Sequence, residues 1–394
     1  MAHQPPRVVV LGGGIAGLFT ANALVAHDIP VTVHEQATAL GEIGAGVFLT
    51  PNSVRQLERV GLGAEVAQRG ARVGHGSRYH RHDGTEIAGV QVTDSSGWNA
   101  VFGMHRADLV SILAGRLPDG IVHTGHRATG LTQIGDGARV TFADGTEVEG
   151  DVVIAADGIH SETRHHVVPP SHPVFSGSVA YRGLVPHELV PHWPTDAWHM
   201  WLGPGRHFLT FPVRSGQLIN YVGFVPADQE MRESWSAPGD PDQLRNEFAG
   251  WDPRIGSLLQ HVRTTLRWGL YDREPLPRWT EGRLTLLGDA AHPMLPHLGQ
   301  GANQAIEDGM ALATILARAD RSTAPAGLLA YETIRRERVA QVQRGARANG
   351  LRYDSAYADL SVRDAEMAAH VTFRKWLYDH DVLPEAEAAA HALV

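Results

Sequence analysis

The sequence predicts an α/β protein in which a doubly wound, nucleotide-binding domain carries an inserted mixed β-sheet and is followed by C-terminal helices. Three observations support this class. A strand, a glycine turn and a helix open the chain, strand-like stretches fill its middle, and helical periodicity fills its end. The chain has 394 residues, of which 43% are hydrophobic and 20% charged, so it can bury a large core.

A βαβ unit is the first predicted element. Residues 7–11 form a short apolar run, as expected of a parallel strand covered on both faces, and residues 15–27 have apolar side chains at helical spacing. Pro30 ends this pattern, and residues 31–35 are predicted as the second strand. In such a unit a nucleotide binds at the turn between the first strand and the helix.

The turn carries the Gly-x-Gly-x-x-Gly fingerprint of dinucleotide-binding proteins. Gly12 allows the tight turn, Gly14 lets a pyrophosphate approach the backbone, and Gly17 lets the helix pack closely on the strand. Glu35 ends the second strand, where an acid accepts hydrogen bonds from ribose hydroxyls. The fingerprint predicts a nucleotide site but does not separate FAD from NAD.

The later elements follow from the same periodicities. They are a helix at 107–117, a hairpin at 139–149, a strand at 152–156, strand-like stretches between 174 and 225, a helix at 240–260 interrupted at Pro253, a strand at 284–287, and helices at 303–317, 324–349 and 362–378. The predicted domains are a discontinuous nucleotide-binding domain (1–75, 100–172 and 275–325), a substrate-binding sheet region (76–99 and 173–274) and C-terminal helices (326–394).

The segment 286–308 makes the nucleotide more specific. An apolar strand ends in Gly288-Asp289, a Pro/Gly-rich loop follows, and a helix begins at Gly301-Ala302-Asn303. A carboxylate at a strand end can fix a sugar hydroxyl, and a glycine-opened helix N-terminus presents N–H groups to an electron-rich ring. These two devices suit the ribityl chain and the pyrimidine edge of a flavin.

Another motif lies between these two along the chain. The strand at 152–156 runs into Asp157-Gly158, and Ser161 and Arg164 extend the polar loop beyond it. An Asp-Gly pair by itself is usually only a turn. Its position after a buried strand makes it a candidate part of the same nucleotide site.

Composition excludes several other classes. The formal net charge of −9 and the absence of a basic stretch argue against a nucleic-acid partner. No run approaches the ~18 apolar residues of a membrane span, and no signal-peptide zones are present, which predicts a cytoplasmic protein. Zero cysteines exclude disulfides and a cysteinyl-flavin bond, and the histidines lack metal-ligand spacing, so no metal is expected. The oligomeric state, monomer or homodimer, is left open.

Along the chain the three motifs come in the order fingerprint, Asp157-Gly158 and 286–308, and the fingerprint occurs once in complete form. In this they resemble the motifs of the class A (single-component) FAD-dependent aromatic monooxygenases. This is the group of salicylate hydroxylase, 3-hydroxybenzoate 6-hydroxylase and 6-hydroxynicotinate 3-monooxygenase, and the resemblance spans nearly the whole chain, including residues 105–109, 181–183 and 203–207. It implies an FAD-binding Rossmann-like domain, tight non-covalent FAD, NADH or NADPH as a transient co-substrate, and O2. A nicotinamide dehydrogenase would not need the Asp289 loop, and a disulfide reductase would need a second fingerprint and redox cysteines.

The resemblance also implies which residues bind the cofactor. Arg106 matches the arginine that contacts FAD on the sheet side, while Gln36 and Val47 match positions that line the adenosine and the flavin. The full set of expected cofactor-binding residues is Gly12, Gly14, Ile15, Ala16, Gly17, Glu35, Gln36, Val47, Arg106, Asp157, Asp289, Gly301, Ala302 and Asn303.

Two histidines are candidate catalytic bases. The family transfers an OH group from a C4a-hydroperoxyflavin, so the protein must exclude water, orient the ring and help remove a phenolic proton. An imidazole suits this last task because its pKa lies near working pH. His207 matches the active-site histidine of the 3-hydroxybenzoate 6-hydroxylase branch, and His297 matches a histidine of the 6-hydroxynicotinate 3-monooxygenase branch. The choice between them is left open.

Substrate contacts are less specific in the sequence. Phe211 stands where some relatives have a tyrosine and Pro296 where the same branch can carry glutamine, which favours a substrate other than 3-hydroxybenzoate. Arg182 and Arg214 could each hold a carboxylate, although a structural salt bridge explains either equally well. The expected substrate-binding residues are Tyr181, Arg182, Phe211, Tyr221, Pro293 and Pro296.

The predicted function is therefore NAD(P)H-consuming, FAD-dependent hydroxylation of a small aromatic or heteroaromatic compound, with a phenol or an aromatic acid as the first expectation. One alternative is hydroxylation or epoxidation of a non-phenolic natural-product intermediate. The other is a non-catalytic FAD-binding sensor or partner-binding protein. Substrate-stimulated oxidation of NAD(P)H would separate the enzymes from the sensor.

Overall fold

The computed structural model describes residues 4–41, 45–227, 237–355, 359–369 and 371–393. Its helices are α1 (Ile15–Val25), α2 (Pro51–Arg59), α3 (Gly63–Arg69), α4 (Arg106–Gly115), α5 (Pro241–Glu247), α6 (Pro253–Leu259), α7 (Gly301–Leu316), α8 (Ala324–Tyr353), α9 (Leu360–Ala369), α10 (Val371–Tyr378) and α11 (Leu383–His391). Its strands are β1 (Val8–Leu11), β2 (Val31–Glu35), β3 (Gly46–Leu49), β4 (Ala71–Arg72), β5 (Arg78–Arg81), β6 (Glu86–Gly89), β7 (Phe102–His105), β8 (Val122–Thr124), β9 (Ala128–Ile134), β10 (Gly137–Phe142), β11 (Glu147–Gly150), β12 (Val152–Ala155), β13 (Val174–Pro186), β14 (His199–Gly203), β15 (Arg206–Val213), β16 (Leu218–Pro226), β17 (Pro238–Gly239), β18 (Thr265–Asp272), β19 (Thr280–Glu281) and β20 (Leu284–Leu286).

A six-stranded sheet in the order β19-β20-β12-β1-β2-β8 forms the centre of the nucleotide-binding part. All neighbouring strands are parallel except β19, which runs antiparallel to β20. Strands β1, β12 and β20 are buried along their whole length, which explains their continuous apolar sequences. The first βαβ unit and the α/β class are therefore as predicted.

Arg335 fixes the position of α7 relative to α8. Its guanidinium is fully buried and lies 2.6 Å from Glu307 (Nη1 to Oε2) and 2.8 Å from Asp308 (Nε to Oδ1). Asp308 also contacts His292 Nε2 at 2.5 Å, so the loop before α7 is tied to the same group. Removal of one partner from such a buried network typically costs about 3–5 kcal/mol. The network holds the N-terminus of α7 in place.

An eight-stranded mixed sheet, in the order β17-β18-β13-β16-β15-β14-β5-β6, forms the second layer. Its neighbours are antiparallel except β14 and β5, which are parallel. One face packs on α5 and α6, and the other packs towards the C-terminal helices. Both faces are therefore apolar, and the side chains of one strand alternate between two different cores.

Some predicted boundaries differ from the structure. The break in the 240–260 region lies before Pro253, which begins α6 because Asp252 caps that helix by accepting a hydrogen bond from Arg254 N at 3.0 Å. The single helix expected at 362–378 is two helices, α9 and α10, and α11 was not predicted. The division into three domains stays a prediction. Within the described ranges, every helix is too short or too polar to cross a membrane.

Candidate active site

A cavity of about 300 Å³ lies where the two layers meet. One wall is formed by residues just beyond the carboxyl ends of β1, β12 and β20, together with the start of α7. The opposite wall is the inner face of the eight-stranded sheet. Open α/β sheets bind ligands outside the carboxyl ends of their strands, so this cavity is the expected place for a nucleotide cofactor.

The glycine turn between β1 and α1 cannot accommodate larger residues. Gly12 has φ +112°, and a Cβ atom there would lie 2.2 Å from the carbonyl oxygen of Ala156. A Cβ atom on Gly17 would lie 1.9 Å from the carbonyl oxygen of Gly12. Glu35 closes the turn from the β2 side, because its carboxylate accepts a hydrogen bond from Gly13 N at 2.7 Å. The turn therefore brings backbone N–H groups against the cavity wall.

Asp289 lies at the end of the strand–loop segment and faces the cavity. Arg164 stabilises this loop, because its guanidinium donates hydrogen bonds to the carbonyl oxygens of Asp289 at 2.9 Å and of Ala290 at 2.6 Å. Arg106 lies on the other side. Burial lowers the pKa of Arg106, and the negative charge of Asp289 opposes that shift. The loop beyond Asp157-Gly158 thus supports the Asp289 segment, a relation that the sequence did not indicate.

The start of α7 completes this wall. Gly301 and Ala302 line the cavity, and a Cβ atom on Gly301 would lie 3.8 Å from Asp289 Oδ1. The Asn303 side chain forms its hydrogen bonds within the protein. It accepts one from Thr50 N at 2.9 Å and donates one to the carbonyl oxygen of Phe48 at 2.8 Å. What α7 offers a ligand is therefore backbone N–H groups of its first turn.

Most of the expected cofactor residues line the cavity, and the others lie around it. The lining members are Gly14, Ile15, Ala16, Val47, Arg106, Asp289, Gly301 and Ala302. The members outside the lining are Gly12, Gly17, Glu35, Gln36, Asp157 and Asn303. Gly12, Gly17 and Glu35 shape the turn, and Asn303 ties β3 to α7.

His207 lies on the opposite wall, in β15, and is fully buried. Its Nδ1 lies 2.6 Å from Asp354 Oδ1, and its ring stacks on Phe224 with centroids 4.1 Å apart. Because a carboxylate only accepts, Nδ1 carries the hydrogen and Nε2 of the neutral ring carries the lone pair. Nε2 is buried and has no hydrogen-bond partner within the described part of the chain. His207 is thus positioned as a base with an orienting carboxylate.

His297 packs beside His207, with ring centroids 5.2 Å apart. It lies directly on the backbone of α8, where a Cβ atom on Gly350 would be 2.7 Å from its Nε2. Burial, helped by the neighbouring His207, lowers the pKa of His297 to about 3, although Asp354 opposes the shift. A neutral imidazole with so low a pKa is a weak base. The low pKa therefore argues against His297 as the group that removes the proton.

Two expected substrate residues require correction. Tyr181 and Tyr221 point away from the cavity, into the core formed with α5 and α6, and Tyr181 donates to Gln243 Oε1 at 3.2 Å. The reason is strand alternation: Arg182 lines the cavity, so its neighbour Tyr181 faces the other way. Arg214 is also structural, because it forms a two-pronged ion pair with Asp108 at 2.8 Å.

The other expected substrate residues, Arg182, Phe211, Pro293 and Pro296, line the cavity. Arg182 stacks on Trp268, with its guanidinium carbon 4.5 Å from the ring centroid. The sequence reasoning missed several apolar wall residues and a third cavity arginine: Trp198, Met200, Leu209, Val222, Phe224, Trp268 and Arg374. It also missed Asp354, which has no local motif and follows directly after α8.

Three strand ends meet on one wall, and a buried imidazole faces them from the other, with apolar side chains between. A nucleotide-derived cofactor held on the first wall would place its ring system against a small, flat ligand on the second, which is the arrangement of a flavin-dependent enzyme.

Known proteins identify the family. The chain matches the family model described as FAD binding domain over residues 6–346. It is 37% identical over 392 residues to 3-amino-4-hydroxybenzoate 2-monooxygenase PtmB3 of Streptomyces platensis, covering 98% of each chain. It is 36% identical over 415 residues to a salicylate hydroxylase of Pseudomonas putida, covering 97% of this chain and 95% of that one. A solved salicylate hydroxylase substrate complex superposes with a TM-score of 0.84 at 32% identity, covering 98% of both chains.

The protein belongs to this FAD-binding family of aromatic monooxygenases, as the resemblance in its three motifs predicted. The fold class, the FAD cofactor and the assignment as an FAD-dependent enzyme are confirmed with it. The roles of individual site residues stay predictions.

Asp289→Ala should weaken FAD binding about 10- to 100-fold, the usual loss when a charged acceptor of a ligand hydroxyl is removed. The dissociation constant is measured by titrating FAD into the flavin-free protein and following flavin fluorescence. Asp119→Ala, which removes an exposed carboxylate outside the cavity, is the matched control and should leave the affinity unchanged. Equal affinities for both variants and the unmodified chain would remove Asp289 from the cofactor site.

Proposed function

We propose that this enzyme hydroxylates a small phenolic aromatic acid, using FAD, NAD(P)H and O2. The observation that carries the proposal is the His207–Asp354 pair, in which His207 is buried in the wall opposite the nucleotide-binding turn and the half-buried Asp354 holds its Nδ1. The names of the relatives support the substrate class, since 3-amino-4-hydroxybenzoate and salicylate are both hydroxylated aromatic acids.

The residues on the first wall fit FAD. Gly12 and Gly17 shape the turn, because a Cβ atom on either would overlap protein backbone, and Gly14, which lines the cavity, leaves the backbone open to a pyrophosphate. Glu35 would hold the adenosine ribose, Asp289 the ribityl chain, and the first N–H groups of α7 the pyrimidine edge of the flavin. Bound FAD supplies hydride acceptance and oxygen activation, which amino-acid side chains cannot provide.

The protein's own part in the reaction is to bind, orient and deprotonate the substrate. Apolar side chains such as Phe211 and Phe224 exclude water from the cavity and confine an aromatic ring. His207 Nε2 accepts the phenolic proton, which makes the ring electron-rich, and Asp354 stabilises the imidazolium that results. The neutral His297 narrows the cavity beside them and offers a hydrogen bond without a charge.

The test is substrate-stimulated oxidation of NAD(P)H by the purified, FAD-bound protein. A panel of hydroxylated aromatic acids, phenols and heteroaromatic acids is screened, and products are examined by mass spectrometry. We expect one or more phenolic acids to accelerate NAD(P)H oxidation and to yield a product heavier by one oxygen atom. A flat response over the panel would overturn aromatic hydroxylation, and bound FAD without any turnover would favour a sensor.

A cytoplasmic location and the absence of a nucleic-acid partner also belong to the proposal. They are supported by the formal net charge of −9 and by the composition of the chain. Cell fractionation and a nucleic-acid binding assay at low salt test them.

A further inference from the structure

Arg374, in α10, is a buried cation in the cavity wall without a carboxylate partner in the described residues. Only 7% of the residue is exposed. It donates to two tyrosine hydroxyls, Tyr79 at 2.9 Å and Tyr378 at 3.2 Å, and its guanidinium carbon lies 5.6 Å from the Trp198 ring centroid. Its Nε is buried and has no hydrogen-bond partner in the same part of the chain.

The environment of Arg374 differs from that of Arg335, another deeply buried arginine. Arg335 is neutralised by the carboxylates of Glu307 and Asp308. Among the described residues, the hydrogen-bond partners of Arg374 are two neutral hydroxyls, while arginine remains charged at any working pH. A buried charge without a counter-ion is costly, and the cost is removed when an anion binds beside it.

The place of Arg374 in the cavity indicates which ligand it serves. Arg106 lies beside Asp289 at the cofactor end of the cavity, and Arg182 stacks on Trp268. Arg374 instead contacts Tyr79, which packs on Tyr353, and the Tyr353 ring lies 5.2 Å from that of His207. Arg374 is therefore connected to the wall that carries the proposed base.

We propose that Arg374 is the specificity-determining residue that binds the carboxylate of the substrate, while His207 contacts the phenolic hydroxyl of the same molecule. This inference rests on the proposed function and deepens it: the ligand is an aromatic carboxylate, and a neutral analogue of the same shape binds poorly. Guanidinium groups bind carboxylates through paired hydrogen bonds, and Arg374 lines the cavity with a buried Nε that has no acceptor among the described residues.

The test compares salicylate with salicylamide as probes of the FAD-bound protein. Binding is followed by quenching of tryptophan fluorescence, since Trp198 and Trp268 line the cavity, and by the perturbation of flavin absorbance. The unmodified protein should prefer the acid. Arg374→Met should weaken salicylate binding about 10- to 100-fold and change salicylamide binding by less than about threefold. Arg374→Lys keeps the charge and should retain part of the preference.

Lys375→Gln is the matched control. It removes one positive charge from the same helix at a residue outside the cavity lining, so the preference for the acid should persist. Equal binding of acid and amide by the unmodified protein, or an equal loss of both in Arg374→Met, would overturn the inference. FAD content and the unfolding temperature show whether the variants are folded. If Arg374→Met does not fold, the comparison of acid and amide binding by Arg374→Lys provides the test.

The two proposals fail in distinguishable ways. If neutral phenols stimulate NAD(P)H oxidation while acid and amide bind equally, the role of Arg374 is wrong and the hydroxylase function stands. If salicylate binding depends on Arg374 but no aromatic compound stimulates oxidation, the hydroxylase function is wrong and the anion site stands.

Discussion

His207→Asn should lower the rate of substrate hydroxylation by about 10²- to 10⁴-fold, the usual contribution of a positioned base, while FAD stays bound. Asparagine keeps an amide N–H for Asp354 but has no base at the place of Nε2. Oxidation of NAD(P)H should continue with little hydroxylated product. The measurements are product yield per NAD(P)H consumed and the flavin content of the purified variant.

Two comparisons separate proton removal from a structural effect. The hydroxylation rate of His207→Asn should recover partly at higher pH, or with an analogue whose phenol is more acidic, because the substrate then ionises without help. Asp354→Asn should cause an intermediate loss and His297→Gln a smaller one, because the low pKa of His297 makes it a weak base. A larger loss in His297→Gln than in His207→Asn would reverse the assignment.

Gly12→Ala should abolish stable FAD binding and lower the unfolding temperature. The methyl group would lie 2.2 Å from the carbonyl oxygen of Ala156, and φ of +112° is unfavourable for alanine. To relieve this overlap, β1 and β12 must move apart beside the turn expected to hold the pyrophosphate. The flavin-to-protein ratio after purification and the unfolding temperature with and without added FAD measure the effect.

Gly120→Ala is the control for backbone strain alone. Gly120 has φ +82°, but a Cβ atom there would have no neighbour within 4 Å. The substitution should cost about 1 kcal/mol of stability and leave FAD binding intact. Normal flavin content in Gly12→Ala would show that the close approach of β1 and β12 is not required for the cofactor.

Local patterns explain why the cofactor wall could be predicted from the sequence. The βαβ unit, its glycines and the strand before Asp289 are each encoded within a few neighbouring residues, because turn geometry and burial act over that range. The structure places them together at adjacent strand ends, as parallel topology requires.

The substrate wall could not be predicted as well, for two physical reasons. The eight-stranded sheet is apolar on both faces, so the sequence of β13 or β16 gives no alternation to tell which face meets the cavity, and Tyr181 and Tyr221 were assigned to the wrong one. Asp354, which contacts His207, and Arg374, which lines the cavity, come from the end of α8 and from α10, more than a hundred residues beyond His207, without a motif to mark them.

The C-terminal origin of Asp354 and Arg374 has a consequence for how this scaffold can be modified. The glycine turn, Arg106, Asp289 and the start of α7 come from earlier in the chain, whereas these two polar groups belong to the last fifty residues. Exchanging the end of α8 and α10 between relatives is therefore a route to altered substrate preference that keeps the glycine turn and Asp289 of this chain. Such an exchange varies one polar part of the substrate wall, while the eight-stranded sheet keeps its apolar part.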